Sequence, residues 1–455
     1  MKKKLRFKLL LPMLCLCLGL CACSFNPASI SDSAGGGDSK QDTLALQQIS
    51  GTLEDATMNT VTVRADDKLY TFVKSDETTV QGDQGLALNR SVTLTYSGEL
   101  DDSQQNQTAQ LVEIVIPDRT DLERAQEILS TLSLEEKVAQ MFIARCPEDK
   151  AAELAKQYQL GGYILFARDF EEKNGDEVKA NIQSYQNSSK IPMLIGVDEE
   201  GGTVNRVSLY PQFRAVPFES PQRLYQKNGF DLIAQDTEEK SDLLKSLGIN
   251  VNFAPVCDVS TNRSDYIYNR SFGQSPELTA QYVETVVKTM NDHNMGSVLK
   301  HFPGYGNNSD THTGIAYDKR SYESFLNSDF KPFIAGINAG AGSVLVSHNI
   351  VSSIDAAYPA SLSAEVHRIL REDLKFDGVI VTDELSMNAI RNYVNAEEAA
   401  VLAVEAGNDL LCCTNFEEQI PAVVKSVENG RISEDRINES VIRILLWKLK
   451  LGITE

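Results

Sequence analysis

Five polar clusters in this sequence hold side chains able to move protons, attack carbon or grip a charged ligand. The first is Asp198-Glu199-Glu200-Gly201-Gly202-Thr203-Val204-Asn205-Arg206, which sets carboxylates and an arginine beside two glycines that let backbone approach closely. Asp258 and the stretch Asn269-Arg270-Ser271-Phe272-Gly273 form the second. The third runs from Lys300-His301-Phe302-Pro303-Gly304-Tyr305-Gly306 through Asn307, Asn308 and Ser309 to Asp310-Thr311-His312. Ser347-His348-Asn349 and Thr382-Asp383-Glu384-Leu385-Ser386-Met387 complete the set. The chain has 5 histidines, and His301, His312 and His348 all fall in these clusters, which is more than random scatter would give. Carboxylates and imidazoles gathered this way suit general acid–base or nucleophilic chemistry. Each also has a plainer reading. Asp383 can cap a following helix, Lys300, His301 and Asp258 can pair with neighbours to hold the framework, and Asp310 and His312 can be ordinary loop residues. A metal site is disfavoured because no pair has the tight helical spacing of zinc ligands.

Each cluster follows an apolar, strand-like run. Eight such runs alternate with helical stretches from residue 118 to the end: Val138 to Arg145, Tyr163 to Phe166, Met193 to Val197, Val251 to Val256, Ser297 to Lys300, Ser343 to Ser347, Val379 to Thr382 and Asp409 to Cys413. This is the pattern of an α/β chain folded as a (β/α)8 TIM-type barrel over 118–455, whose chemistry gathers where strands end and loops begin. Residues 45–117 read differently. Period-two runs such as Thr60 to Val63, Leu69 to Val73, Ser91 to Tyr96 and Leu111 to Ile116, broken at Asp66-Asp67, Gly82-Asp83 and Asp101-Asp102, predict a small all-β domain before the barrel. No catalytic constellation lies in it, so a spacer role is favoured over wall binding.

The chain begins with Lys2, Lys3, Lys4, Arg6 and Lys8 before an apolar stretch ending at Cys23. Residues 1–22 therefore read as a signal peptide, whose apolar stretch from Leu9 to Ala22 is too short to cross a bilayer, which takes about 20 apolar residues. Leu20-Cys21-Ala22-Cys23 resembles the bacterial lipobox, which implies lipidation at Cys23 and anchoring at the outer face of the cell membrane. Residues 23–44, rich in Ser and Gly, read as a flexible tether. Of 8 cysteines only Cys146, Cys257, Cys412 and Cys413 remain in the folded part; they read as small buried hydrophobes, and no disulfide framework is implied. A net charge of −21 argues against nucleic acid as a partner.

The strings K-H-F-P-G-Y-G, D-T-H, D-E-E-G-G-x-V-x-R, N-F-A-P-V-C-D, R-S-F-G and V-T-D-E-L-S-M resemble glycoside hydrolase family 3, in particular its β-N-acetylhexosaminidases, over about residues 119 to 455. The resemblance implies that Asp383 is the nucleophile, His312 the acid/base and Asp310 its partner. It implies too that Asp198, Arg206, Arg270, Lys300 and His301 contact the sugar. Tyr305 stands where many members have a second histidine, and Thr311 where serine is common; neither removes a group the reaction needs. No cofactor and no metal is implied.

These types suit a retaining glycosidase. An aspartate at a rigid strand end can attack the anomeric carbon, with cations such as Lys300 or Arg270 expected to keep it ionised. A histidine titrating near neutral pH can give and take the proton, and Asp310, two residues before His312, can orient its ring. The D-T-H pattern and the chain's end soon after the barrel point, by resemblance, to exo-acting removal of terminal β-linked N-acetylglucosamine from peptidoglycan-derived fragments. The alternatives are an N-acetylglucosaminide phosphorylase, a β-glucosidase of the same family, and a non-catalytic sugar-binding lipoprotein.

Overall fold

A computed structural model of the chain describes residues 46–454 apart from 83–85, 87, 89, 117–119, 309, 310, 312 and 313. The expected signal peptide, tether and Cys23, and also Asp310 and His312, lie outside the described residues. The chain divides into two compact units, Met1–Asp118 and Arg119–Glu455.

The described part of the first unit is a sheet of strands β1 (Leu46–Ala56), β2 (Thr60–Ala65), β3 (Lys68–Val73), β4 (Thr79–Gln81), β5 (Ser91–Ser97) and β6 (Gln110–Val115), in the order β3-β2-β1-β5-β6-β4. Asp66 and Asp67 join β2 to β3 with φ of 47° and 62°, the doubly left-handed pair that a tight hairpin between twisted strands requires. Alternation puts Val61, Val63, Phe72, Leu94 and Ile114 into a fully buried core. The long strand β1, which pairs with both β2 and β5, is largely exposed along its first half, so its sequence lacks the alternation that marks its neighbours.

The second unit holds eight parallel strands: β7 (Phe142–Arg145), β8 (Gly162–Leu165), β9 (Leu194–Val197), β10 (Val251–Asn252), β11 (Gly296–Phe302), β13 (Ser343–Val346), β15 (Val379–Thr382) and β16 (Leu411–Cys413). Between them, β12 (Tyr317–Asp318) and β14 (Ile350–Val351) pair with each other as a separate ladder. The barrel order is β15-β13-β11-β10-β9-β8-β7-β16, and a parallel bridge from Val381 to Leu410 brings its ends together. The barrel strands are buried almost throughout, as expected where helices cover the outside and side chains fill the inside.

Two boundaries depart furthest from the sequence pattern. Val138 to Gln140 are helical, not strand: Ser133 accepts from the Glu136 amide while Glu136 reaches back to the Ser133 amide, and this reciprocal cap starts a helix over Leu134–Gln140. The run from Val251 stays in the strand for only two residues; beyond Asn252 the chain keeps a bond from the Phe253 amide to the Val197 carbonyl at 2.8 Å and an isolated bridge from Val256 to Lys300. Side chains complete the short edge. Asn250 accepts from the Ile195 amide at 2.8 Å and donates to the Met193 carbonyl at 3.1 Å, and Asn252 bonds the backbone of Glu199 in the same two-way manner at 3.0 Å.

Candidate active site

A cavity of about 450 Å³ opens where the barrel strands end, and Asp198, Arg206, Arg270, Lys300, His301 and Asp383 all line it. The six come from four places in the fold. Asp198 directly follows β9, with Arg206 further along the same loop; Arg270 sits in the loop after β10; Lys300 and His301 are on β11; Asp383 directly follows β15. The β11–β13 ladder is irregular between Leu299 and Phe302, which allows the consecutive side chains of Lys300 and His301 both to face the cavity.

Asp198, Glu199 and Glu200 divide by parity. In an extended run, residues two apart share a side. Asp198 and Glu200 accordingly meet Lys300, whose Nζ lies 2.6 Å from an oxygen of each. Glu199 points the other way, fully buried, and accepts from the amides of Arg206 and Val207 at 2.7 and 2.8 Å, fastening the far end of its own loop. Gly201 and Gly202 make the turn possible: both have positive φ, and a Cβ at Gly202 would lie 2.7 Å from Ser220 Cβ.

Glu200 is also held by Arg270, which donates Nε and Nη2 at 3.0 and 2.7 Å in a two-pronged bond. Burial alone would raise the Glu200 carboxyl, but the charges of Arg270 and Lys300 outweigh it and hold the group well below the usual carboxylate range. Arg270 shows the reciprocal balance: burial disfavours its charge and the Glu200 carboxylate more than restores it. The same guanidinium contacts His301 Nε2 at 3.1 Å. Because guanidinium can only donate, Nε2 accepts, so the ring proton sits on Nδ1 and is given to Asp258 at 2.7 Å. Asp258 further accepts from the Tyr305 amide at 2.7 Å, so this buried aspartate braces the framework, the plainer of its two readings.

The capping reading of Asp383 does not hold. The next helix spans Asn388–Arg391 and is preceded by Met387, leaving Asp383 as the first residue beyond β15, tied through its amide to the Val346 carbonyl at 3.0 Å. Its Oδ1 accepts from the Glu384 amide at 2.9 Å. His348 lies one layer back: its Nε2 donates to the Glu384 carbonyl at 2.9 Å and its Nδ1 accepts from Ser361 at 2.8 Å, supporting the turn that carries Asp383. Burial raises the Glu384 carboxyl, against opposing bonds from Ser386 and Thr414.

Glu200, Arg145, Phe166, Tyr266, Tyr305 and Glu384 also line the cavity, without a role assigned to them from sequence. Glu200 was within reach through the parity of the Asp-Glu-Glu run. Tyr305 and Thr311, the two departures from the family's usual residues, are hydrogen-bonded to each other through their side-chain oxygens. The Tyr305 hydroxyl is pushed up by burial and by the nearby charge of Asp383. All four cysteines of the described residues are buried and free. Among the described residues no group of three His, Cys, Asp or Glu side chains is placed to hold a metal ion.

Comparison with known proteins follows the same lines. The β-hexosaminidase of Nitrosomonas eutropha (strain DSM 101675 / C91 / Nm57) is 32% identical over 282 residues, covering 59% of this chain and 78% of that one. β-Hexosaminidase A of Pseudoalteromonas piscicida is 29% identical over 328 residues; the match covers 66% of this chain but only 55% of that relative's length. Among solved structures, a glycoside hydrolase family 3 β-N-acetylglucosaminidase from Paenibacillus sp. str. FPU-7 superposes with a TM-score of 0.66 at 31% identity, over 71% of this chain and 63% of that one. The sequence profile of the glycosyl hydrolase family 3 N terminal domain matches residues 133–446, the greater part of the 455 residues, and the chain belongs to that family.

Proposed function

We propose that this chain is a retaining, exo-acting β-N-acetylhexosaminidase that removes terminal β-linked N-acetylglucosamine, with peptidoglycan-derived fragments as its source. The observation that carries the reading is the convergence of Asp383 with Asp198, Arg206, Arg270, Lys300 and His301 on one cavity of sugar-accommodating size. Supporting it are relatives named as β-hexosaminidases and a structural relative described as a β-N-acetylglucosaminidase.

In this reading the Asp383 carboxylate attacks the anomeric carbon as the bond to the leaving oxygen breaks, giving a glycosyl ester on Asp383. His312, oriented by Asp310, delivers the proton to that oxygen and then takes one from the water that cleaves the ester. Glu200 has no part in proton transfer, because two cations keep it ionised; its role is to fix Lys300 and Arg270 against the sugar hydroxyls. His301, with Nε2 accepting from Arg270, positions the guanidinium. The protein is exported and lipidated at Cys23, which would place the reaction outside the cell membrane.

Initial rates on nitrophenyl N-acetylglucosaminide and nitrophenyl glucoside, each with and without phosphate, test the activity. The expected result is a clear preference for the N-acetylglucosaminide and free N-acetylglucosamine as product in either buffer. A glucoside preference would overturn the substrate assignment, and phosphate-dependent formation of a sugar 1-phosphate would overturn hydrolysis.

A further inference from the structure

Among the described residues four cations line the cavity, and they fall into two kinds. Lys300 and Arg270 have their hydrogen bonds satisfied by Asp198, Glu200 and His301. Arg145 and Arg206 do not: among the described residues neither guanidinium makes a hydrogen bond or ion pair, and the Nε of each is buried without a partner. Both instead lie over the ring of Phe166, at 4.7 Å and 5.8 Å from its centroid. The three residues come from adjacent strand ends, Arg145 closing β7, Phe166 following β8 and Arg206 in the loop after β9, so they make one wall. Asp169 feels the charge of Arg145, but its carboxylate accepts from the Phe166 amide at 2.7 Å and belongs to that turn.

Buried donors without acceptors are costly, and a guanidinium fixed on an aromatic face is set to receive a planar or tetrahedral oxyanion. Position narrows the ligand. Arg145 also lines a second cavity of about 340 Å³, walled by Pro147, Leu154, Arg168, Thr414 and Phe416, and so stands at the junction of the two. Arg168 is already paired with Glu148 and bound to the Cys146 carbonyl at 2.6 Å. Glu417 and Glu418 line the second cavity only, where they repel an anion and confine it to the junction.

We propose that Arg145, with Phe166 and Arg206, forms an oxyanion subsite at the junction of the sugar cavity and the second cavity, where it takes a carboxylate carried by the group leaving the sugar. This deepens the proposed activity and rests on it. Free phosphate offers the same chemistry from another source.

The test measures kcat/KM of the full chain and of Arg145→Gln on two disaccharides, one neutral (N,N′-diacetylchitobiose) and one acidic (N-acetylglucosaminyl-N-acetylmuramic acid), with and without inorganic phosphate. The expected result is a fall of about tenfold or more in the acidic-to-neutral ratio for Arg145→Gln, partly restored in Arg145→Lys, which keeps the charge without the planar fork. In the unaltered protein, raising the salt from low to about 0.5 M should lower the same ratio, a readout independent of whether the variants fold. Loss of a phosphate effect in Arg145→Gln with an unaltered ratio would assign the subsite to free phosphate and overturn the carboxylate. A ratio indifferent to salt, to Arg145→Gln and to phosphate would overturn the subsite while leaving the activity standing; no turnover of either disaccharide by the unaltered protein would remove both.

Discussion

Glu200 sits where two buried cations meet, and its environment makes a prediction about pH as well as binding. Its carboxyl is held below the ordinary value of 4.5 in the fold, so its contribution to stability is fully present above that value. It is lost as pH falls further, toward the depressed value. Glu200→Gln removes this dependence and leaves Lys300 and Arg270 with one acceptor fewer in a buried site, which costs roughly 3 kcal/mol. Urea unfolding across pH 2.5 to 6 should show a shallower acid decline for the variant; an unchanged slope would mean that Glu200 is not held ionised by its partners. The identity of this residue was half legible in the sequence, since Asp198, Glu199 and Glu200 are adjacent and only the strand's parity separates the two that face the cavity from the one that braces the loop. Arg145 was not legible at all. It reads as the last residue of a buried strand, and its meeting with Phe166 and Arg206 depends on neighbouring strand ends that the sequence spaces far apart.

Elements place these groups through a few close backbone passages. The loop after β9 turns at Gly201, with φ of 95°, and a Cβ there would run into the Glu219 carbonyl. Gly201→Ala should therefore destabilise the barrel by about 2 kcal/mol and displace Glu200, lowering kcat/KM more than the loss of folded protein explains. Thermal melting together with active-site titration separates the two, and a variant with unaltered melting and kcat/KM would contradict the role given to the turn. Eight strand segments were legible because a parallel barrel buries both faces and its strands appear as continuous apolar runs. Their ends were not. Val138 to Gln140 continue the apolar run of β7 yet belong to a helix, and the signal that separates them is Ser133 with Glu136 three residues on. Strand β1 escaped the period-two pattern because it is exposed over half its length although it is paired on both sides.

At the scale of the whole molecule, the proposed chemistry belongs to the barrel and the proposed attachment to the leader. Cys23→Ala should shift the protein from the membrane fraction to the soluble one, with little change in specific activity on a soluble nitrophenyl substrate; retention at the membrane would rule out the lipid anchor. Two acyl chains hold a protein at a bilayer, and this chain has no described helix long and apolar enough to cross one.

A retaining reaction at this site requires an oxygen of Asp383 to become covalently bound to the sugar. Incubation with a 5-fluoro N-acetylglucosaminyl fluoride, followed by proteolysis and mass spectrometry, reads that bond directly. The expected result is a glycosylated peptide carrying Val381-Thr382-Asp383-Glu384 with the label on Asp383, and loss of both the label and about a thousandfold or more of turnover in Asp383→Ala. Label on Glu384 or any other residue, or turnover retained in Asp383→Ala, would contradict it.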